Sequence, residues 1–228
     1  MVASHPPIRA TLPPVFEALL WDNDGVLVDT EGLYFQATRE VLAEVGVELT
    51  EDGYRQLFLV EARGAWHLAE PRLGADDLAA LKRRRGLRYR DLIEERRHEL
   101  VIPGATDAAR KLAARYRMAI VTSSERDHFE CIHRRTELLG HFELVLTQGD
   151  YRASKPDPEP YLTAVARLGI APERCLVLED SERGLRAAKA AGLACWVLPS
   201  GLTRSFGFAE ADHVLSGFPE LLARLLPV

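Results

Sequence analysis

Two aspartates, Asp22 and Asp24, stand two residues apart directly after a short apolar run at 18–21. At this spacing on an extended chain, their carboxylates project from the same side. The next residue, Gly25, allows the backbone to turn closely around a bound group. Adjacent carboxylates repel each other unless a cation lies between them, so this segment is a candidate for metal binding. A polar turn with two capping aspartates is the alternative interpretation.

Three further segments place reactive side chains after other apolar runs. They contribute hydroxyls, a lysine and two more acids, at Thr122, Ser123, Ser124, Lys155, Glu179 and Asp180. Clustered carboxylates suit a hard cation such as Mg²⁺. With hydroxyl donors and a fixed positive charge, they make up the groups that phosphoryl transfer requires, because its catalysis consists mostly of positioning and charge neutralisation.

The elements that must position these groups alternate along the chain. Short, almost wholly apolar runs predict strands buried on both faces, at 18–21, 118–121, 144–146, 175–178 and 194–198. Amphipathic segments predict helices at about 105–115, 125–138, 158–168 and 182–191, the last ending at Gly192. This alternation predicts an α/β fold with a Rossmann-like, doubly wound parallel sheet. Such sheets bind ligands beyond the carboxyl ends of their strands, so we expect the reactive segments to meet there.

The segment at 32–99 interrupts the alternation. It contains no convincing strand and predicts helices near 33–45, 52–60, 62–70 and 76–98. We therefore divide the chain into a core, residues 1–31 and 100–228, and an inserted α-helical domain, residues 32–99. Gly32 and the Pro103–Gly104 pair are candidate hinges. The basic run at 82–85 is interpreted as a solvated helix face, because acidic residues lie nearby.

The composition of the chain limits which binding partners and which cellular compartment we expect. The 228 residues carry a net charge of −5, which gives no electrostatic reason to expect nucleic acid or an anionic membrane as partner. No apolar stretch approaches the length of a membrane span, and the N-terminus lacks the apolar region of a secretory signal. Its prolines at 6, 7, 13 and 14 predict an extended tail. The three cysteines lack metal-binding spacing, so Cys175 and Cys195 are predicted to be reduced core residues of a cytoplasmic protein.

The reactive segments resemble, in the same order, the four motifs of the haloacid dehalogenase superfamily. The matching residues are Asp22-x-Asp24-Gly25-Val26, Val121-Thr122, Lys155-Pro156 and Glu179-Asp180. The runs at 155–158 and 179–192 are similar to the subgroup that contains phosphoglycolate phosphatases, sugar phosphatases and β-phosphoglucomutases. The resemblance spans roughly residues 18–200. It implies that the insertion at 32–99 is a helical cap over the active site.

This resemblance implies a role for each matching residue. Asp22 would be the nucleophile that forms an aspartyl-phosphate. Asp24 would protonate the leaving alkoxide and then take a proton from the attacking water. Lys155 would neutralise the charge of the phosphate and of the Asp22 carboxylate.

The resemblance also implies a magnesium site and a phosphate-binding site. The implied Mg²⁺ ligands are Asp22, the backbone carbonyl of Asp24, Asp180, and Glu179 directly or through water. Thr122 and Ser123 would hydrogen-bond the phosphoryl oxygens, and Gly25 would let the backbone approach the bound group.

Within the cap, the loop at 59–67 falls where relatives carry residues that select the substrate. Arg63 is placed where β-phosphoglucomutase has an arginine for the distal phosphate, so it could bind a second anionic group. A surface arginine is the alternative. Trp66 and His67 could face the cleft, with a role in the cap core as the alternative.

Two departures from the mutase favour hydrolysis. An ungapped count puts Tyr34 where the mutase has a histidine and Leu59 where it has a cap lysine. The predicted function is a Mg²⁺-dependent phosphatase for a small phosphorylated metabolite, such as a sugar phosphate or a phosphoglycolate-like ester, acting as a monomer. A sugar phosphomutase is the nearest alternative, and a non-catalytic binding protein on the same fold is a more distant one.

Overall fold

A six-stranded sheet forms the centre of the structure, a computed structural model that describes residues 16–227. Its strands are β1 (Ala18–Trp21), β2 (Arg117–Glu125), β3 (Leu144–Gln148), β4 (Cys175–Glu179), β5 (Ala194–Val197) and β6 (His213–Val214). They lie in the order β3-β2-β1-β4-β5-β6, and each pair of neighbours is parallel. All five predicted strands are present, which confirms the α/β, Rossmann-like sheet.

Side chains of β1 alternate between two hydrophobic layers. Leu19 and Trp21 pack into the layer on one face, and Ala18 and Leu20 pack into the layer on the other. All four are fully buried, because helices cover both faces of a parallel sheet. The central position of β1 brings its carboxyl end between those of β2 and β4.

The helices of the core follow the predicted order. They are α4 (Ala105–Ala113), α5 (Arg126–His133), α6 (Glu159–Leu168), α7 (Glu182–Ala190) and α8 (Phe218–Leu225). As predicted, Gly192 follows the end of α7, in the left-handed conformation at φ +74°. Helix α5 ends earlier than predicted, and a separate 3₁₀ turn covers Leu138–His141. Strand β6 and helix α8 were not predicted.

Between β1 and β2 the chain is mainly helical. It forms α1 (Glu31–Ala43), α2 (Glu51–Tyr54), a π-helical turn (Arg55–Val60), two 3₁₀ turns (Trp66–Leu68 and Glu70–Arg72) and α3 (Ala75–Arg96). The predicted helix at 62–70 is wrong. Ala62 and Gly64 adopt positive φ values of 56° and 69°, which right-handed helix does not permit, and short 3₁₀ turns follow them.

Residues 41–81 of this segment enclose a hydrophobic cluster of their own. Helix α3 connects that cluster with the sheet, because Leu81 packs in the former while Leu92 and Ile93 pack against the sheet layer. The boundaries at 31/32 and 99/100 remain a prediction.

The extended tail predicted from the prolines at 6, 7, 13 and 14 lies outside the described residues. Within residues 16–227, none of the helices combines the length and the apolar character that crossing a membrane requires. As predicted, Cys175 and Cys195 are buried free thiols.

Candidate active site

A cavity of about 140 Å³ lies where the carboxyl ends of β1, β2 and β4 face the helical insertion. The sheet side contributes Asp22, Asp24, Thr122, Ser123, Ser124, Glu125, His128, Gln148, Asp180, Ser181, Arg183 and Thr203. The helical segment between β1 and β2, from the first residue of α1 onward, contributes Glu31, Tyr34, Tyr54, Phe58, Leu59, Arg85 and Tyr89. The reactive segments of three strands therefore meet in one place, as the predicted sheet topology requires.

The Asp24 carboxylate is held by four side-chain donors. The hydroxyls of Thr30, Ser124 and Thr122 lie 2.5, 2.7 and 3.1 Å from its oxygens. The side-chain amide of Asn23 lies 3.2 Å away. Since β2 extends to Glu125, two of these hydroxyls stand near the end of a strand, where its pairing with β3 is irregular between Val121 and Glu125. Asp24 is therefore fixed in orientation by the protein itself.

A buried histidine supports this arrangement from behind. His133 Nε2 lies 2.7 Å from Asn23 Oδ1, and His133 Nδ1 lies 2.9 Å from Thr136 Oγ1. Burial lowers the pKa of His133 to about 4, against an opposing effect of the Asp24 charge, so the ring is neutral at pH 7. Nε2–H then donates to Asn23 Oδ1, and the Asn23 amide remains oriented toward Asp24. Sequence reasoning missed this pair, because no motif joins positions 23 and 133.

The Lys155 ammonium uses all three of its donors inside the protein. Nζ lies 2.9 Å from Asp22 Oδ1, 2.7 Å from Glu179 Oε1 and 2.8 Å from the carbonyl of Val121. Burial acts to lower the pKa of Lys155, but the Asp22 and Glu179 charges outweigh it and raise that pKa. Lys155 is therefore a fixed positive charge beside Asp22.

Glu179 anchors Lys155 from the other side. Its Oε1 also accepts from Tyr161 at 2.7 Å, and its Oε2 accepts from two backbone amides and the Ser181 hydroxyl at 3.0–3.2 Å. A Cβ at Gly184 would lie 1.7 Å from Oε1, so only glycine fits there. Burial acts to raise the pKa of Glu179, but Lys155 outweighs it and the pKa lies below its usual value. Its oxygens leave little capacity for direct metal ligation.

Oxygen atoms of Asp22, Glu179 and Asp180 all lie within 4.8 Å of one another. Burial and then the Glu179 charge raise the pKa of Asp22 to about 7, against the effect of Lys155. Burial and the charges of Glu179 and Asp22 raise the pKa of Asp180 well above its usual range. The oxygens of Asp22 and Asp180 fit a hard divalent cation, which would relieve the repulsion, with Glu179 beside them.

Two residues shape the space around Asp180. A Cβ at Gly25, whose φ is +84°, would lie 2.1 Å from Asp180 Oδ2, so a side chain at position 25 would displace the carboxylate. Thr203, in the turn after β5, donates to the same oxygen at 3.2 Å and was missed from the sequence.

The hydroxyl residues at the end of β2 differ in their hydrogen bonds. Thr122 donates to Asp24, whereas Ser123 Oγ is buried without a hydrogen-bond partner. Both residues line the cavity. A buried hydroxyl without a partner is costly, so Ser123 is the donor best placed to bind an oxygen of a ligand.

Arg63 lies apart from this cavity. Its side chain is 55% exposed and pairs with Glu61 at 2.5 Å, and the cavity lining does not include it. Of the two alternatives weighed from the sequence, the geometry matches the surface arginine. Trp66 is half-buried against the cap cluster, in agreement with a role in the cap core.

The basic run at 82–85 is a solvated helix face only in part. Its first three members are exposed, but Arg85 is 8% exposed and points into the cavity. The sequence does not show which of these four residues is buried, because four consecutive residues cover a full turn of α3. The last of them, Arg85, lies on the inner face of the helix. Arg183, in the first turn of α7, also lines the cavity and was also missed.

Comparisons with known proteins agree with this geometry. A family model described as haloacid dehalogenase-like hydrolase matches residues 16–192. The protein of Thermotoga maritima named Phosphorylated carbohydrates phosphatase is 37% identical over 180 residues, which cover 78% of this chain and 82% of that protein.

Solved structures match over almost the whole chain. A mutant of CbbY from Rhodobacter sphaeroides in complex with xylulose-(1,5)-bisphosphate is similar with a TM-score of 0.79 and 31% identity, over 92% of this chain and 99% of that chain. A β-phosphoglucomutase from Clostridium difficile is similar with a TM-score of 0.74 over 90% of this chain and 93% of that chain, but at 18% identity it shows the fold alone. On the family match and these relatives, the chain belongs to the haloacid dehalogenase-like hydrolase family and is a phosphoric monoester hydrolase.

Proposed function

We propose that this enzyme is a Mg²⁺-dependent phosphatase that hydrolyses a small phosphorylated sugar through an aspartyl-phosphate on Asp22. The observation that carries the proposal is the position of Asp22. It lines the same cavity as Asp180 and Ser123, whose hydroxyl has no partner, and its Oδ1 lies 2.9 Å from the buried Lys155 ammonium. A nucleophile, a positive charge that can neutralise a phosphate, and a hydroxyl that can donate to its oxygens therefore lie around one cavity.

In the first step, the Asp22 carboxylate forms a bond to phosphorus and the ester P–O bond breaks. Asp24, in its acid form, gives its proton to the leaving oxygen. Its four donors fix the orientation of its carboxyl group. In the second step, Asp24 takes a proton from water while the water oxygen attacks phosphorus, which releases phosphate and regenerates Asp22.

Three groups are proposed to hold the metal, namely the Asp22 and Asp180 carboxylates and the backbone carbonyl of Asp24. When bound, Mg²⁺ supplies positive charge that neutralises the phosphate and makes its attack by a carboxylate possible. Glu179 contributes mainly by fixing Lys155, since its oxygens already accept five hydrogen bonds.

Relatives with sugar substrates support the substrate class. The names of two relatives refer to phosphorylated carbohydrates and to xylulose-(1,5)-bisphosphate. The cavity beside Asp22 includes Glu31 and the Tyr54 hydroxyl that donates to it, groups suited to the hydroxyls of a sugar. We place the enzyme in the cytosol, on the chemistry of its buried free thiols. The monomeric state stays a prediction that analytical ultracentrifugation can check.

A sugar phosphomutase is the alternative from the sequence. Tyr34 and Leu59 occupy the cavity lining at the positions that correspond to the mutase's histidine and lysine. A tyrosine of raised pKa and an aliphatic side chain do not supply the charges of those residues. Incubation with β-glucose 1-phosphate separates the two functions, because a mutase yields glucose 6-phosphate and a phosphatase yields free phosphate.

The test of the proposed function is phosphate release from a panel of phosphorylated sugars, phosphoglycolate and phosphogluconate. We expect release that requires Mg²⁺ and stops in excess EDTA. The Asp22→Asn variant should bind Mg²⁺ more weakly and release no phosphate, because an amide is neither a nucleophile nor a good metal ligand. Undiminished hydrolysis by Asp22→Asn, or by the wild type in excess EDTA, would contradict the proposed mechanism.

A further inference from the structure

The two oxygens of the Asp24 carboxylate differ in the number of donors that they face. Oδ2 faces three, namely the Asn23 side-chain amide at 3.2 Å and the hydroxyls of Thr122 and Ser124 at 3.1 and 2.7 Å. Oδ1 faces one, the hydroxyl of Thr30. A carboxylate oxygen offers about two lone pairs, so three donors occupy Oδ2 fully, whereas Oδ1 can still form a further bond.

The direction of the Asn23 amide depends on His133. Asn23 is fully buried, and its Oδ1 lies 2.7 Å from His133 Nε2 while its Nδ2 faces Asp24. An ionised carboxylate only accepts, so the amide presents Nδ2 to Asp24 and Oδ1 to the imidazole, and Nε2 carries the proton of the neutral ring. A rotated amide would place its oxygen against the carboxylate. The hydrogen bond from His133 opposes that rotation.

The imidazole of His133 is itself fixed on its other edge. Thr136 Oγ1 lies 2.9 Å from Nδ1, which has no proton in this tautomer and accepts. The same hydroxyl is farther, 3.4 Å, from the carbonyl of His133. The ring is buried and packs against that of Phe129, one turn earlier on α5. A directed series of hydrogen bonds therefore runs from Thr136 through His133 and Asn23 to Oδ2 of Asp24.

We propose that His133 is a positioning residue for proton transfer, which acts through Asn23 to keep Oδ2 of Asp24 occupied and leaves Oδ1 as the oxygen that exchanges the proton. In the first step, the Oδ1–H bond breaks as the leaving oxygen gains the proton. In the second step, Oδ1 gains a proton from the attacking water. Neither Asn23 nor His133 is part of the cavity lining, so both act through Asp24. This inference rests on the proposed phosphatase activity.

Esters that differ in their leaving group separate this role from general support of the fold. A sugar alkoxide needs a proton in order to leave, whereas p-nitrophenolate is weakly basic and leaves without one. Because kcat/KM covers the steps up to release of the alcohol, it reports on the proton that Asp24 gives. The test series consists of a sugar phosphate from the panel above, phenyl phosphate and p-nitrophenyl phosphate.

His133→Leu removes the donor to Asn23 and keeps a buried apolar side chain. We expect kcat/KM to fall by about tenfold for the sugar phosphate, by less for phenyl phosphate, and by less than about twofold for p-nitrophenyl phosphate. His133→Gln keeps a donor and should retain most of the wild-type ratio between the esters. Ile132→Ala is the matched control, because Ile132 is the buried neighbour on α5 and packs in the hydrophobic layer. It should lower stability without changing that ratio.

The tautomer of His133 can be measured without turnover. In ¹⁵N-labelled protein at pH 7, the histidine signal that is missing from His133→Gln belongs to His133. We expect its Nε2 to be protonated and its Nδ1 to be unprotonated. The reverse tautomer would overturn the proposal, and this measurement tests it even if His133→Leu does not fold.

The outcomes also separate this inference from the proposed function. Equal losses on all three esters in His133→Leu would overturn the positioning role, because a loss of general support does not discriminate between leaving groups. If Asp24→Asn shows the graded loss and His133→Leu does not, Asp24 remains the acid–base group and His133 does not position it. No hydrolysis of any of the three esters by folded wild type with Mg²⁺ would count against the proposed function and this inference together.

Discussion

Asp24, Lys155 and Glu179 on the sheet side of the cavity differ from Arg85 on the cap side in how their charges are paired. On the sheet side, Asp24 has four side-chain donors, Lys155 has three acceptors and Glu179 accepts five hydrogen bonds. On the cap side, Arg85 rests on the rings of Tyr34 and Trp66 and has no partner for its Nε.

This difference separates the two tasks of the site. The groups proposed to act on the transferred phosphoryl are oriented before a substrate arrives, which avoids reorganisation during the reaction. Arg85 on the cap side has no hydrogen-bond partner for its Nε, so it is not committed to a protein group in this way. Variants of Asp22, Asp24 and Lys155 should therefore reduce turnover of every substrate, and variants of Arg85 should change the choice among substrates.

The largest effect on the sheet side short of removing Asp22 is expected for Asp24→Asn. The amide cannot give or take the proton, so kcat should fall by about 10²–10⁴ on all substrates. Its proposed metal contact is the backbone carbonyl, so Mg²⁺ affinity, measured by calorimetry, should change little. A variant with wild-type kcat would show that Asp24 is not the acid–base group.

Lys155→Met should follow, with an effect on both activity and stability. Asp22 and Glu179 would be left as buried acids without their shared cation, which should cost about 3–5 kcal/mol in free energy of unfolding. Turnover should fall by about 10²–10³, because a fixed charge at the phosphate is lost. Denaturant unfolding and kcat measure the two effects. As a control, Lys189→Met removes a lysine that pairs with Asp212 at the surface, and it should have little effect on turnover.

His133→Gln tests the support behind Asp24 through the pH dependence of stability. Burial depresses the His133 pKa from 6.5 to about 4, so the unfolded chain binds a proton between those pH values while the folded chain does not. His133 thus contributes stability at pH 7 that is lost as pH falls toward 4, by about 3 kcal/mol. Glutamine keeps a donor for Asn23 and does not titrate.

Urea unfolding of wild type and His133→Gln at pH 7 and pH 4.5 measures this contribution. We expect the wild type to lose more stability than the variant between the two pH values. His128, another buried histidine of lowered pKa, is present in both proteins and cancels in the comparison. Parallel losses in the two proteins would show that His133 does not titrate in this way.

The smallest effect is expected for Arg63→Ala. Its exposed side chain pairs with Glu61, and surface ion pairs contribute about 0–1 kcal/mol. We expect less than about a twofold change in kcat/KM for singly and doubly anionic substrates alike. A selective loss on doubly anionic substrates would show that Arg63 binds the second anion, contrary to its surface position.

The sequence predicts the sheet and the residues at its carboxyl edge, because hydrophobic runs and short motifs encode them directly. The five apolar runs predict the buried strands because burial on both faces leaves no alternative to hydrophobic residues. Four ordered motifs place the sheet-side residues together because strand ends converge at one edge. Helix α8 carried a readable signal as well, with apolar residues at 218, 221, 222 and 225, whereas β6 spans only two exposed residues.

The cap side could not be predicted in the same way. The helix predicted at 62–70 is absent because Ala62 takes a positive φ, which composition does not reveal. Arg85 was hidden in a basic run, and only the orientation of α3 turns it inward. The contact of His133 with Asn23 joins positions 110 residues apart, so it depends on the tertiary structure.

The central claim is that the phosphoryl group is transferred to Asp22 before it is hydrolysed. Trapping the phosphoenzyme tests this claim most directly. Asp24→Asn, in which hydrolysis of the intermediate is slowed, is mixed with p-nitrophenyl phosphate and Mg²⁺ and quenched in acid. Mass spectrometry of its peptides should then find a phosphoryl group on Asp22, with a larger fraction modified than in wild type. Asp22→Asn carried through the same procedure should remain unmodified. Steady hydrolysis with no modified peptide in wild type or Asp24→Asn, or a phosphoryl group on another residue, would contradict the account.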